Sequence, residues 1–433
     1  MYRETAKLLL YSNLGEDAIL TRMAEIFRDW EAGSTDTSAL ISRIYAQVKR
    51  LLDLATVYGF NRNLWQNYLT FLLMTNENSF TLTCERVGAT EGGSVNHFAK
   101  ADFAVFKRLF HFDFSAIEQD LGIDCFSVLT AYTAIPKKAQ MYYRTVSERV
   151  QALSAAIDAA TTTDEVFAAV TAHYRDWGVG MFGLNRAFRL DDDGQLVAIN
   201  NIESVTLGDL VGYETQKRAL RENTEAFVAG RSCNNMLLYG DAGTGKSTSV
   251  KALLSEYGAQ GLRMIEIYKH QFGQLSRVIA QVKNRNYRFM IFIDDLSFEE
   301  HEVEYKFLKA VIEGGVETRP TNVLIVATSN RRHLVRETWR DKNDMEFEGD
   351  VHRSDTMEEK LSLAARFGCA ICYNNPNRQQ YHDIVLALAA RLPDLGLTEQ
   401  QLLLEANKWE IRHGGISGRT AQQFINYIAG LER

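Results

Sequence analysis

The sequence predicts an α/β fold built on a parallel sheet, with a mainly helical domain before it and a small helical lid after it. Three observations carry this reading. In the second half of the chain, short apolar runs alternate with helix-compatible segments, as strands do in a sheet covered on both faces. Through residue 177 the chain holds long stretches without proline, with apolar residues recurring at three and four positions. After about residue 377, three helical patterns follow with no further strand-like run.

Residues 1–177 form the helical domain on this reading, with Leu121, Phe126, Leu129 and Tyr132 as one example of the spacing. Its aromatic clusters, FHFDF and MYYRTV, are expected as core rather than as a platform for stacking bases. No repeat period is evident, so a solenoid has no support. Residues 178–207, GVGMFGLNRAFRLDDDGQLVAINNIESVTL, change character and read as a linker carrying a hairpin around the Asp-Asp-Asp-Gly turn signal. Residues 208–376 hold the strands MLLY (236–239), LRMIEI (262–267), FMIFI (289–293), NVLIVA (322–327) and CAICY (369–373). Residues 377–433 are the lid.

Composition excludes several classes. With 46% hydrophobic and 24% charged residues, four Pro and 29 Gly, this is the balance of a globular protein of two or three domains. Lys+Arg 48 against Asp+Glu 55 leaves a net charge of −7, so no global basic field draws the chain to nucleic acid or anionic lipid. The opening segment has neither a long apolar run nor a cleavage pattern, and no stretch reaches the ~18 apolar residues of a membrane span, so a cytoplasmic location is expected. Five scattered cysteines suit reduced thiols. Cys369 and Cys372 form a C-x-x-C without a second pair, and their place on an apolar strand reads as packing.

Directly after the MLLY strand stands Gly240-Asp241-Ala242-Gly243-Thr244-Gly245-Lys246-Ser247, followed by Thr248. The pattern G-x-x-x-x-G-K-S between a strand and a helix is a phosphate loop. Its glycines let successive N–H groups turn inward, and the helix that opens at Lys246 adds its positive end. Lys246 is expected to reach the β- and γ-phosphates of ATP, and the Ser247 hydroxyl to ligate Mg²⁺.

Two carboxylates, Asp294 and Asp295, end the strand Phe289–Ile293 at the edge where the phosphate loop lies. Asp294 is expected to hold the magnesium, and Asp295 to orient an attacking water as general base. The strand NVLIVATSN ends in Thr328-Ser329-Asn330. The Asn330 amide at that point either reaches the γ-phosphate or lytic water, or caps the following turn.

Together these residues resemble an AAA+ ATPase, with Walker A at 240–247, Walker B at 291–295 and a sensor amide at Asn330. The strings LLYGDAGTGKS, RFMIFIDDLSFEE, VLIVATSNRRHLVRE, EEKLSLAARFG and GGISGRTAQQF are similar to the bacterial DUF815 family of ATP-binding proteins. The resemblance implies that Arg366, in AARFG, is an arginine finger acting on a neighbouring subunit's site. It also implies that Arg419, at the start of the last helix, is a sensor within its own subunit. A cation at a helix start gains nothing from the helix dipole, which suits a phosphate role for Arg419. Leu210-Val211-Gly212-Tyr213 resembles the segment that cups adenine, with Val211 and the backbone near Gly212 as contacts; ordinary linker packing is the competing reading. Asp295 departs from the usual Glu by one methylene, and Glu299 or Glu300 are candidates to assist it.

The expected function is an AAA+ ATPase that hydrolyses ATP with Mg²⁺ to drive movement in a homo-oligomer or an unidentified protein client. The alternative is an ATP-dependent switch or loader with little turnover that binds protein or DNA. A small-molecule kinase is disfavoured by the sensor and lid residues. The basic clusters Lys137-Lys138 and Arg331-Arg332-His333 read as solvated faces, with nucleic acid left open as a partner. The charged stretch 336–355 reads either as a partner contact or as a plain loop.

Overall fold

A computed structural model describes residues 1–90, 92–136, 142–199, 202–298, 304–313, 320–330, 363–392 and 396–431. Lys137-Lys138, Glu299, Glu300, Arg331-Arg332-His333 and the stretch 336–355 lie outside the described residues. The chain divides into two compact units, Met1–Asn185 and Arg186–Arg433.

The first unit is helical. Its helices include Ile19–Glu31, Thr37–Tyr58, Leu64–Thr75, Ser94–Phe110, Arg144–Ala159 and Thr163–Trp177. Their starts follow from the sequence: Asp36, Asn63 and Thr162 each accept a backbone N–H of the first turn, satisfying donors that a helix start leaves orphaned. The aromatics are core. Phe114 stacks on Phe126 with centroids 4.4 Å apart, and Phe27 meets Phe112 edge-on at 5.0 Å. Asp102 is fully buried and accepts the backbone N–H groups of Leu9, Leu10 and Tyr11 at 3.0, 2.8 and 3.1 Å. That network ties the first residues of the chain to the helix Ser94–Phe110.

The second unit carries a seven-stranded sheet. Its strands are β1 (Ala187–Leu190), β2 (Leu196–Ala198), β3 (Met236–Gly240), β4 (Leu262–Glu266), β5 (Arg288–Ile293), β6 (Val323–Ser329) and β7 (Cys369–Tyr373). They lie in the order β2-β1-β4-β5-β6-β3-β7, and every neighbouring pair except β1/β2 is parallel. All seven residues of β6 are buried, which is why such central strands read as unbroken apolar runs. The hairpin expected within 178–207 forms, but as part of the sheet and not as a free linker: β1 runs parallel to β4 with Phe188 opposite Ile265. Burial of Phe188 and Leu190 supplies the reason.

β3 sits between β6 and β7, so the loop after it emerges beside the ends of both. Three further helices, Arg378–Ala389, Glu399–Arg412 and Gly418–Ala429, close around their own core of Tyr381, Val385, Ala406, Phe424 and Ile425. Asn377, Thr398 and Ser417 cap them. Among the described residues no helix is long and apolar enough to cross a membrane. With the parallel sheet, the phosphate loop after β3 and the helical lid, the unit has the α/β AAA+ architecture.

Candidate nucleotide site

The loop after β3 is shaped by its glycines. Gly240 has φ +129°, and a Cβ there would collide with the carbonyl of Tyr373. The turn therefore runs against the end of β7, where Asp241 donates its N–H to that same carbonyl at 2.9 Å. Gly243, at φ +76°, leaves only 3.0 Å for a Cβ before Ser417 Oγ, so the lid rests on the loop through a residue without a side chain. Arg419 N–H donates to Gly243 O at 3.1 Å across the same junction.

Lys246 opens the helix Lys246–Tyr257 and is 6% exposed. Its Nζ donates to Gly240 O at 3.0 Å, Asp241 O at 2.6 Å and Asn330 Oδ1 at 3.0 Å. All three acceptors are neutral oxygens. Burial holds the pKa of Lys246 below the ordinary lysine value; the charges of Asp241, Asp295 and Asp294 work against that shift, and Arg419 works with it. A buried ammonium whose hydrogen bonds all go to neutral oxygens is a place that a phosphate oxygen would complete.

The carboxylates lie across from it. Ser247 Oγ donates to Asp294 Oδ1 at 2.6 Å, and Thr328 Oγ1 lies 2.5 Å from the same oxygen. Asn330 Nδ2 donates to Asp295 Oδ1 at 2.8 Å, so the Asn330 amide joins Lys246 to Asp295 with one atom on each. Asp295 itself has φ +51°, a left-handed backbone uncommon outside glycine. A hydroxyl beside a carboxylate oxygen is the hard donor pair that Mg²⁺ takes. Among the described residues no three His, Cys, Asp or Glu gather to hold a metal by themselves. A cation held by Ser247 and Asp294 would thus draw its other ligands from phosphate and water.

These groups share one cleft of about 870 Å³, within the roughly 300–1,000 Å³ of small-ligand sites. Of the residues expected from sequence, Val211, Gly243, Thr244, Gly245, Lys246, Ser247, Thr248, Asp294, Asp295, Asn330 and Arg419 line it. Gly240, Asp241, Ala242 and Gly212 shape the adjoining backbone without lining the wall. Arg366 is elsewhere: it stands just before β7, ion-paired with Glu313, and its Nε is buried without a hydrogen-bond partner among the described residues.

The structure adds residues that sequence reasoning left out. Tyr213 lines the cleft in a left-handed conformation, φ +61°. Its ring stacks on Tyr373 at 5.1 Å and its hydroxyl donates to Asn374 O at 2.9 Å, while burial pushes its pKa up to about 12. Arg391, from the lid, donates to Asp209 O at 2.7 Å and pairs with the Asp209 carboxylate at 3.6 Å. Both partners line the cleft, so the lid is fastened there to the segment that precedes Val211.

The chain is similar over about half its length to several known proteins, and it spans less than two thirds of the length of the curated relatives it matches. The chain is 24% identical over 265 residues to proteasome-activating nucleotidase 2 of Halobacterium salinarum, covering 56% of this chain and 62% of that one. It is 27% identical over 234 residues to the human ATPase family gene 2 protein homolog A, covering 48% of this chain and 24% of the relative. A probable spastin homolog of Brugia malayi is 22% identical over 234 residues, covering 48% and 46%. Among solved structures, the FIGL-1 AAA domain in complex with ADP aligns with TM-score 0.37 and 20% identity, over 53% of this chain and 74% of that one. The RuvB Holliday junction branch migration motor of Thermotoga maritima aligns with TM-score 0.32 and 14% identity, over 53% and 74%. Residues 184–432 match the family model described as "Protein of unknown function (DUF815)". That match takes in more than half of the 433 residues, and the chain belongs to the DUF815 family.

Proposed function

We propose that this chain binds ATP with Mg²⁺ in the cleft under its lid and hydrolyses it, using the energy to move its own subunits or a protein client. The observation that supports this most is the convergence of Lys246, Asn330 and Asp295 on one another, with Ser247 and Asp294 beside them. Lys246 exchanges its loop carbonyls for phosphate oxygens and fixes the substrate's charged end. Ser247 and Asp294 would hold a magnesium ion, which would neutralise charge developing on the phosphates. Asp295 accepts a hydrogen bond from the attacking water and sets its line of approach, while Asn330 steadies Asp295. Arg419, seated where the lid meets Gly243, stabilises charge on the phosphate from within the same subunit. Val211 and Tyr213 line the part of the cleft where the base would lie.

Arg366 has no place in its own cleft, which supports a role on a neighbour's nucleotide in a homo-oligomer. Glu313 would release it when subunits meet. The client is taken to be a protein and not nucleic acid, since the net charge of −7 supplies no field toward phosphate backbones. A second reading, a switch with little turnover, is favoured by one feature: the short Asp295 carboxylate is already engaged by Asn330 and must let go to serve a water.

The test is ATP turnover per subunit against protein concentration, with Arg366→Ala and Asp295→Ala measured alone and mixed. Turnover that rises with concentration, with partial recovery in the mixture, is expected. Flat wild-type turnover with a dead mixture would leave the self-contained switch as the better account.

A further inference from the structure

We propose that Thr328 is a positioning residue of this site, whose one hydroxyl sets both the orientation of Asp294 and the strained backbone of Asp295. The inference rests on reading the cleft as an ATPase site.

β5 and β6 are paired with Ile293 opposite Ala327, which brings Asp294 level with Thr328 one step further along. Thr328 is 1% exposed. The N–H of Asp295 donates to Thr328 Oγ1 at 3.0 Å, and Oγ1 lies 2.5 Å from Asp294 Oδ1. Because the N–H occupies an acceptor position on the hydroxyl, the hydroxyl's single proton is left to point at the carboxylate. Asp294 Oδ1 thus receives Thr328 Oγ1, Ser247 Oγ at 2.6 Å and the Asp295 N–H at 3.1 Å, an arrangement that fixes the plane of the carboxylate.

The main chain of Thr328 acts on the same turn. Its carbonyl accepts the N–H of Leu296 at 2.7 Å, so Thr328 grips the backbone on both sides of Asp295. A non-glycine residue at φ +51° costs energy that surrounding bonds must offset, and these two bonds are among those in place beside the Asp295 N–H to Asp294 Oδ1 contact. The consequence is directional: the turn held this way presents the Asp295 carboxylate to Asn330 and thence to Lys246.

Thr328→Val keeps the shape and removes the hydroxyl, whereas Thr328→Ser restores it. The full chain is titrated with a fluorescent ATP analogue, with Mg²⁺ and with EDTA, and ATP turnover is followed alongside. Thr328→Val is expected to lower turnover roughly 10- to 100-fold, the effect of one charge-assisted hydrogen bond. It should raise the Mg²⁺ concentration needed for tight nucleotide binding, leave affinity in EDTA unchanged, and be largely reversed in Thr328→Ser. A Val variant that unfolds more easily but keeps turnover per folded subunit and keeps its Mg²⁺ dependence overturns the proposal; the hydroxyl is then only a satisfied core group. Should the Val variant fail to fold, Thr328→Cys, with a weaker donor in similar volume, carries the same comparison. If wild type binds ATP with Mg²⁺ but does not turn it over, the hydrolytic reading fails and the Mg²⁺ titration alone decides Thr328. If wild type binds no nucleotide, both fall together.

Discussion

Two sets of carboxylates in this molecule are held in opposite ways. Asp102, in the helical unit, is fully buried and saturated by three backbone N–H groups. Asp294 and Asp295, in the cleft, are held largely by side chains of Ser247, Thr328 and Asn330. Backbone donors cannot leave without unfolding a segment; side-chain donors can rotate away and be replaced by a ligand. The difference separates a carboxylate that builds structure from one that is free to do chemistry.

That contrast can be broken by experiment, and the largest effect is expected at Asp102. Asp102→Ala removes the buried acceptor of three backbone N–H groups, of which that of Tyr11 is itself buried, and should cost about 3–5 kcal/mol of stability, seen as a lower urea midpoint of the first unit. Its ATP affinity per folded molecule should not change; a variant of wild-type stability would make the buried network incidental. Lys246→Ala comes next, with ATP affinity falling on the order of 100-fold in an equilibrium titration while the unfolding midpoint stays close to wild type. Unchanged affinity there would remove the site assignment.

A third prediction sharpens the structural side. Burial holds His173 down at a pKa of about 4, with the nearby Arg149 acting in the same direction. The folded state thus keeps the ring neutral while the unfolded chain protonates it near its ordinary 6.5. The unfolded state binds more protons in that window, so the contribution to stability is complete above about pH 6.5 and is lost as pH falls toward 4. The loss should approach roughly 3 kcal/mol, and His173→Gln should flatten the pH dependence of the urea midpoint between pH 7 and 5. The smallest effect is expected at Arg391→Ala, which unfastens the lid from Asp209: exposed pairs of this kind contribute about 0–1 kcal/mol, so ATP should dissociate only a few-fold faster.

Much of the sheet and the loop was legible because the responsible patterns are local. A central parallel strand buried on both faces must be apolar throughout, so β3, β5 and β6 stand out as runs. The phosphate loop needs its glycines and lysine at fixed spacing. The turn signal announces the edge hairpin, but β1 and β2 are only four and three residues long, too short for the sequence to show that they join the sheet. What Thr328 does was hidden for a different reason. Its partners are 34 and 33 residues away, and only the pairing of Ile293 with Ala327 brings them together. Arg391 and Asp209 meet 182 residues apart across the lid, which no spacing rule reaches. The role expected of Arg366 comes only through family resemblance; its pairing with Glu313, 53 residues earlier in the chain and outside the cleft, is announced by no spacing in the sequence.

The central claim is that Asp295, held between Asn330 and the turn at Thr328, serves the hydrolytic step and not nucleotide binding. The most direct measurement is ATP affinity and single-turnover hydrolysis on the same preparations of wild type and Asp295→Ala. The account predicts equal affinity, with hydrolysis lowered on the order of 100-fold or more in the variant. Hydrolysis at the wild-type rate in Asp295→Ala, or affinity lost together with turnover, would contradict it.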